Sequence, residues 1–207
     1  MLTAEDMMLP PPAPGEILDF RKIFGDDRPV EMEIGSGKGT FLLNRARLLP
    51  ERGFLGIEWA NKYFRYAADR MARWGVTNVR LMRTDARHLV LYHLPPASIT
   101  FLHIYHPDPW PKKRHHKRRL IQPGFIKSAA DALVEGGRIA IQTDHAGYFE
   151  QICQVVRGEP RLVEVPFESP ELGVVEGRVG TNFEVKYLRE GRSFFRLALQ
   201  KHIPAVA

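Results

Sequence analysis

The 207-residue sequence is 44% hydrophobic and 26% charged, with a formal net charge of +6; its length suits one globular domain with a sizeable core. Cys153 is the only cysteine, which excludes an internal disulfide and a cysteine-based zinc cluster and fits a reducing cytoplasm. No run of about 18 apolar residues occurs, which excludes a transmembrane helix, and the start, with Glu5, Asp6 and then Pro10, Pro11 and Pro12, does not read as a signal peptide.

Residues 1–14 are expected to be a flexible tail ahead of one domain over residues 15–207. A short amphipathic helix is expected from Glu16 to Phe24, then a strand from Val30 to Ile34 feeding a glycine turn and a helix from Thr40 to Leu49. Phe54 to Glu58 reads as a second strand and Asn61 to Trp74 as a helix, with Tyr63, Ala67, Arg70 and Met71 at helical spacing. A strand from Val79 to Met82 and a helix near Ala86 to Tyr92 follow. Ile99 to Tyr105 is continuously apolar enough for a strand buried on both faces. Beyond a basic loop, a helix from Phe125 to Val134 is expected to stop at Gly136 and Gly137, then a strand from Arg138 to Gln142, a helix from Gly147 to Val156 and a strand from Leu162 to Val165. A glycine-rich loop near Gly173 to Gly180 leads to a last strand from Ser193 to Gln200. Strands alternating with helices of this length predict a doubly wound α/β fold, a mostly parallel seven-stranded sheet that binds ligands beyond the carboxyl ends of its strands.

Gly35-Ser36-Gly37-Lys38-Gly39 lies between a strand and a helix, where glycines let a ligand approach the backbone. A Walker A loop fails, because Met32 stands where its first glycine belongs and Gly39 where its serine or threonine belongs. A dinucleotide turn wants wider glycine spacing. S-adenosylmethionine offers an ammonium and a ribose diol, which want acceptors. Glu33, Glu58 and Asp85 stand at successive strand ends to supply them, with Glu58 suited to the ribose hydroxyls and Asp85 to the adenine amino group. Asp85 reads equally as a helix cap, so a nicotinamide cofactor stays open on these residues alone.

Pro107-Asp108-Pro109-Trp110-Pro111 follows the fourth main strand, and its prolines limit the freedom of Asp108. Lys112, Lys113, Arg114, Lys117, Arg118 and Arg119 then place six cations, with His115 and His116 between them, where a polyanion would be gripped. The adjacent histidines lack ligand-spaced partners, so no metal site is expected. Trp110 is suited either to stacking on a base or to packing its own turn.

The stretch from Asp108 to Arg119, with Glu33-Ile34-Gly35-x-Gly37-x-Gly39 before it and Thr181-Asn182-Phe183-Glu184 after it, resembles the bacterial tRNA (guanine-N7)-methyltransferases of the TrmB type. The resemblance covers the chain from Val30 to the last strand. It implies a cytoplasmic enzyme that methylates N7 of guanine 46 in the tRNA variable loop with S-adenosylmethionine, needing neither metal nor obligate protein partner. It assigns Glu33, Gly35, Gly37, Glu58, Asp85 and Asp108 to the donor, and Asp108 also to catalysis. Lys112, Asp144, Thr181, Asn182, Phe183 and Glu184 fall to the substrate guanine, and Arg114, His115, His116, Lys117, Arg118 and Arg119 to RNA. Tyr105 and His106 depart from the family pattern, in which an aromatic residue often precedes Pro107 directly, and so does Asn182. An adenosylmethionine-dependent enzyme acting on another RNA or a small molecule, or a non-catalytic tRNA-binding module, are the alternatives.

Overall fold

The computed structural model of the chain describes residues 2–167, 181 and 190–202. The first helical turn, α1 (Ala4–Met7), is capped by Thr3, whose hydroxyl accepts from the Asp6 N–H while Asp6 accepts from the Thr3 N–H. It leads into a two-residue strand, β1 (Met8–Leu9), then α2 (Phe20–Phe24), β2 (Val30–Ile34), α3 (Thr40–Leu48), β3 (Gly53–Ile57), α4 (Asn61–Arg73), β4 (Val79–Met82) and α5 (Ala86–Tyr92). The second half holds β5 (Ile99–Tyr105), α6 (Pro123–Ala132), β6 (Leu133–Thr143), α7 (Ala146–Arg157), β7 (Leu162–Val165) and β8 (Phe195–Lys201).

These strands form one sheet in the order β1-β4-β3-β2-β5-β6-β8-β7. The pairs from β1 through β6 are parallel, and β8 runs antiparallel to both β6 and β7. The chain winds outward from β2 through β3 to β4, then returns to lay β5 on the other side of β2. Strand order therefore reverses between β2 and β5, where a doubly wound sheet opens a crevice beyond its carboxyl ends.

The sheet has eight strands where seven were expected. The extra one is β1, whose Met8 and Leu9 pair with Leu81 and Met82. The expected N-terminal tail is thus partly built into the fold: Met7 is buried among Phe64, Ala67, Met71 and Leu81, because the three apolar residues Met7, Met8 and Leu9 find an open sheet edge to cover. The helix expected from Glu16 begins only at Phe20, since Asp19 caps it by accepting the Lys22 N–H. Helix α6 ends at Ala132 rather than at Val134, and β6 runs straight through both glycines, with a register shift against β5 between Ile99 and Phe101. The glycine-rich loop expected at Gly173 to Gly180 lies outside the described residues.

Side-chain alternation sorts the core into two layers. Met32, Ile34, Leu55, Ile57, Leu102, Ile104, Ile139 and Ile141 pack with residues of α5, α6 and α7. Phe54 and Leu81 pack with α1, α3 and α4 on the opposite side. In β2 the same alternation turns Glu31 and Glu33 away from the first layer, and both are buried.

Glu31 needs partners there. Arg45 of α3 grips it through two nitrogens, Arg52 reaches it at 2.7 Å and His103 Nε2 lies 2.9 Å away. With Glu31 ionised and able only to accept, neutral His103 donates from Nε2 and its Nδ1 accepts from the Tyr105 hydroxyl at 2.9 Å. Burial would raise Glu31, but the hydrogen bonds and charges of His103 and Arg45 overcome that and hold it at about 2, whereas burial pulls His103 down to about 4.

Candidate active site at the strand-order switch

Five acidic residues sit at or just beyond the carboxyl ends of consecutive sheet strands. Glu33 is the fourth residue of β2, Glu58 follows β3, Asp85 lies beyond β4, Asp108 beyond β5 and Asp144 directly after β6. Because β2 to β6 are parallel, all five reach the same rim.

The glycine turn is shaped from below and from the side. Gly35 and Ser36 donate to the Ile57 carbonyl at 2.8 and 3.0 Å, which ties the turn to β3. Gly35, Gly37 and Gly39 have φ of +78°, +53° and +68°, a region L-residues rarely adopt. A Cβ on Gly35 would meet nothing within 4 Å, so that face is open, whereas one on Gly39 would lie 2.7 Å from Met71 Cε. Arg70 braces the far end, donating to Thr40 Oγ1 at 2.6 Å.

Glu58 is held by the turn it faces. Its Oε2 accepts from the Gly37 N–H at 2.8 Å and its Oε1 from the Ala60 N–H at 2.7 Å. Each carboxylate oxygen has a second lone pair, so two acceptor positions remain. Asp85 caps α5 with Oδ1, which accepts from the Arg87 and His88 N–H groups, leaving Oδ2 to face outward. Here the cap reading holds and the ligand reading has one oxygen left to use.

Glu33 is different in kind. It is 3% exposed, and its Oε2 has no hydrogen-bond partner among the described residues. Burial first, and the neighbouring Glu58 second, push its carboxyl well above the usual range. An orphaned buried acceptor costs about 1–3 kcal/mol, so the site suits a donor group that the described residues do not supply. A ligand ammonium has the required charge and protons.

On the β5 side the sequence turns sharply. His106 has φ +53° and Trp110 φ +43°, two non-glycine residues in the left-handed region flanking the Asp108 segment. Asp108 is exposed. Asp144 is not the cap of α7; His145 is, its Nδ1 accepting from the Tyr148 N–H at 3.1 Å. Asp144 is instead paired with Arg192 at 2.7 Å and lies 3.8 Å from His106 Nδ1. Thr181 is buried; Asn182, Phe183 and Glu184 lie outside the described residues.

The basic run folds as a short 3₁₀ turn, Lys113–Arg118. Lys112, Lys113, Arg114, Lys117 and Arg118 are exposed and His115 and His116 half-buried. Trp110 is packed by its own turn, with Arg118 5.0 Å over its ring and His115 edge-on at 5.9 Å. Arg119 contradicts the expectation of an RNA-facing side chain. It is 2% exposed, with its guanidinium committed to internal carbonyls and a glutamine, because the turn's carbonyls need an internal donor and a guanidinium offers five.

A family described as "Putative methyltransferase" matches residues 27–197. A tRNA (guanine-N(7)-)-methyltransferase of Mycobacterium avium is 41% identical over 176 residues, spanning 85% of this chain and 68% of its own. The enzyme of that name from Alkalilimnicola ehrlichii is 38% identical over 193 residues, spanning 92% and 80%. The chain belongs to the tRNA (guanine-N(7)-)-methyltransferase family. Solved structures agree on the fold. A 30S ribosomal A1408 methyltransferase from an uncultured bacterium superposes with TM-score 0.60 at 15% identity, covering 90% of this chain and 95% of that one. TrmN from Thermus thermophilus gives 0.55 at 19%, covering 87% and 46%. The sequence did not disclose the surroundings of His106 and Arg119. The signal for His106 was its position between the end of β5 and Pro107; the burial of Arg119 had no signal, since a run of cations reads as one solvated face.

Proposed function

We propose that this protein transfers a methyl group from S-adenosylmethionine to N7 of a guanine in tRNA, at position 46 of the variable loop, and does so in the cytoplasm without a metal or an obligate protein partner. The observation that carries the donor assignment is the buried, unpartnered Oε2 of Glu33 beside an open glycine turn. Glu33 would take the donor's ammonium, the free lone pairs of Glu58 its ribose diol, and Asp85 Oδ2 its adenine edge. When bound, the donor supplies an electrophilic methyl on a sulfonium.

Guanine N7 has a lone pair and no proton, so no general base is needed. The lone pair forms the new N–C bond as the methyl–sulfur bond breaks, and positive charge passes from sulfur to the purine. Asp108 and Asp144, at the ends of the two strands beyond the switch, supply fixed negative charge where the cation develops. That kind of preorganised charge is worth a few kcal/mol per well-placed group. Holding N7, methyl and sulfur in line is the other contribution. Lys112 to Arg118 present exposed cations to the phosphates around the target, and the family resemblance assigns the segment from Thr181 to Glu184 to the guanine.

The test is nucleoside mass spectrometry of tRNA treated with the protein and donor. The expected product is 7-methylguanosine mapped to position 46. Asp108→Ala should bind tRNA as the native protein does and lose turnover; native turnover in that variant refutes its assignment.

A further inference from the structure

Arg119 ends the basic run, yet it faces inward and makes no use of its charge at the surface. Its Nε donates to the Pro109 carbonyl at 2.8 Å. Its NH1 donates to Gln151 Oε1 at 2.6 Å and approaches the Gly147 carbonyl at 3.4 Å. The guanidinium carbon lies 4.8 Å from the centre of the Tyr148 ring. Each partner is itself held: the Tyr148 hydroxyl accepts from the Ile121 N–H at 3.1 Å, and Gln151 Nε2 donates to the Ile121 carbonyl at 3.2 Å.

These contacts join the Asp108 turn to α7. Pro109 adjoins Asp108 and lies between it and Trp110, whose left-handed backbone is not self-supporting. Gly147, Tyr148 and Gln151 form the first turns of α7, which begins directly after Asp144. Arg119 therefore touches both the Asp108 turn and the helix behind Asp144. We infer that Arg119 is a positioning residue that fixes the Asp108 turn against α7, and so sets the relative placement of the two carboxylates at the methyl-transfer site, and that it contacts no RNA phosphate. The inference rests on the proposed function, and a planar fork with fixed donor angles is what the task requires; a lysine has one point of attachment and cannot span Pro109 and Gln151 together.

The role separates from RNA binding by charge and by kinetics. Arg119→Gln removes the charge, and Arg119→Lys keeps it while removing the fork. Single-turnover methylation of tRNA under saturating donor and tRNA gives the rate, and tRNA affinity across a salt series gives the number of phosphates neutralised, about 0.7 in log–log slope for each one on a single strand. The expected result is a fall of at least tenfold in rate for both variants, with affinity and slope as in the native protein. Arg118→Ala, on the exposed side of the same turn, is the comparison and should lower both affinity and slope. A slope reduced by about 0.7 in Arg119→Gln, or a native rate in Arg119→Lys, overturns the inference. If Arg119→Gln does not fold, Gln151→Leu removes the NH1 acceptor together with the bond from Gln151 to the Ile121 carbonyl, and a native rate in that variant overturns it equally. Failure of the native protein to form 7-methylguanosine would instead overturn the proposed function and leave these outcomes distinct from it.

Discussion

His106 Nε2 lies 3.0 Å from Gln142 Nε2, and the contact has only one chemical solution. Arg196 donates from Nε to Gln142 Oε1 at 2.8 Å, and an arginine cannot accept. The amide orientation is thereby fixed, so Gln142 donates toward His106, whose Nε2 must be unprotonated. Neutral His106 carries its proton on Nδ1, the side 3.8 Å from Asp144 Oδ1.

Reversing that amide should reverse the tautomer. In Gln142→Glu the group facing His106 only accepts, and the ring must protonate at Nε2. Nitrogen NMR of ring-labelled protein should show the Nδ1–H form in the native chain and an Nε2–H or doubly protonated ring in the variant. An unchanged spectrum would contradict the assigned chain of donors. His106→Phe leaves the buried Gln142 amide without its acceptor and should cost about 1–3 kcal/mol in urea unfolding.

Donor binding should carry a proton signature from Glu33. Its folded carboxyl is raised above the ordinary 4.5, so the free protein loses stability as pH rises from there through the raised value. A bound ammonium favours the carboxylate, so donor affinity should increase over the same window and binding should release protons. Titration calorimetry in buffers of different ionisation enthalpy measures that release. Glu33→Gln should abolish it, weaken the donor at neutral pH and make the empty protein more stable at pH 8.

Acid should loosen the fold through the network under the sheet. Taking His103 from an unfolded value of 6.5 to about 4 means the unfolded chain binds that proton first, so stability present above 6.5 is lost on descending toward 4. Glu31, lowered from 4.5 to about 2, removes more as pH falls through its own window. Together the loss amounts to a few kcal/mol, read as a falling urea midpoint from pH 7 to 2. His103→Gln should flatten the upper part of that curve, and should shift the lower part too, because the His103 hydrogen bond is among the causes that hold Glu31 down.

Gly39→Ala tests the glycine turn. At φ +68° an alanine pays about 1–2 kcal/mol in backbone strain, and its methyl would press on Met71 Cε at 2.7 Å and Ala67 Cβ at 3.1 Å. The methionine end can move; the alanine cannot. Destabilisation of about 2–3 kcal/mol and a raised KM for the donor are expected, and Met71→Leu in addition should not restore them.

The parallel sheet and its order of elements were legible because each strand is short, apolar and bounded by turn residues, and the rim carboxylates were legible because each follows such a strand. Arg119 was misplaced, since nothing along a line of cations tells which one turns inward; that depends on the Pro109 carbonyl and on Gln151 and Gly147 of α7, brought together only by the fold. The Glu31 network escaped for a related reason. Its charge is tolerable only beside Arg45, Arg52 and His103, which tertiary packing assembles. The boundary of α6 moved because Gly136 and Gly137 were read as a stop, when β6 had already begun at Leu133.

The pairing of Met8 and Leu9 with Leu81 and Met82 has a consequence for biosynthesis. A ribosome delivers β1 long before its partner, so Met8 and Leu9 must wait, unpaired, until residue 82 has emerged. During that interval the nascent chain carries an adhesive segment whose only native shelter has yet to be made, and the acidic pair Glu5 and Asp6 beside it is the local deterrent to premature association.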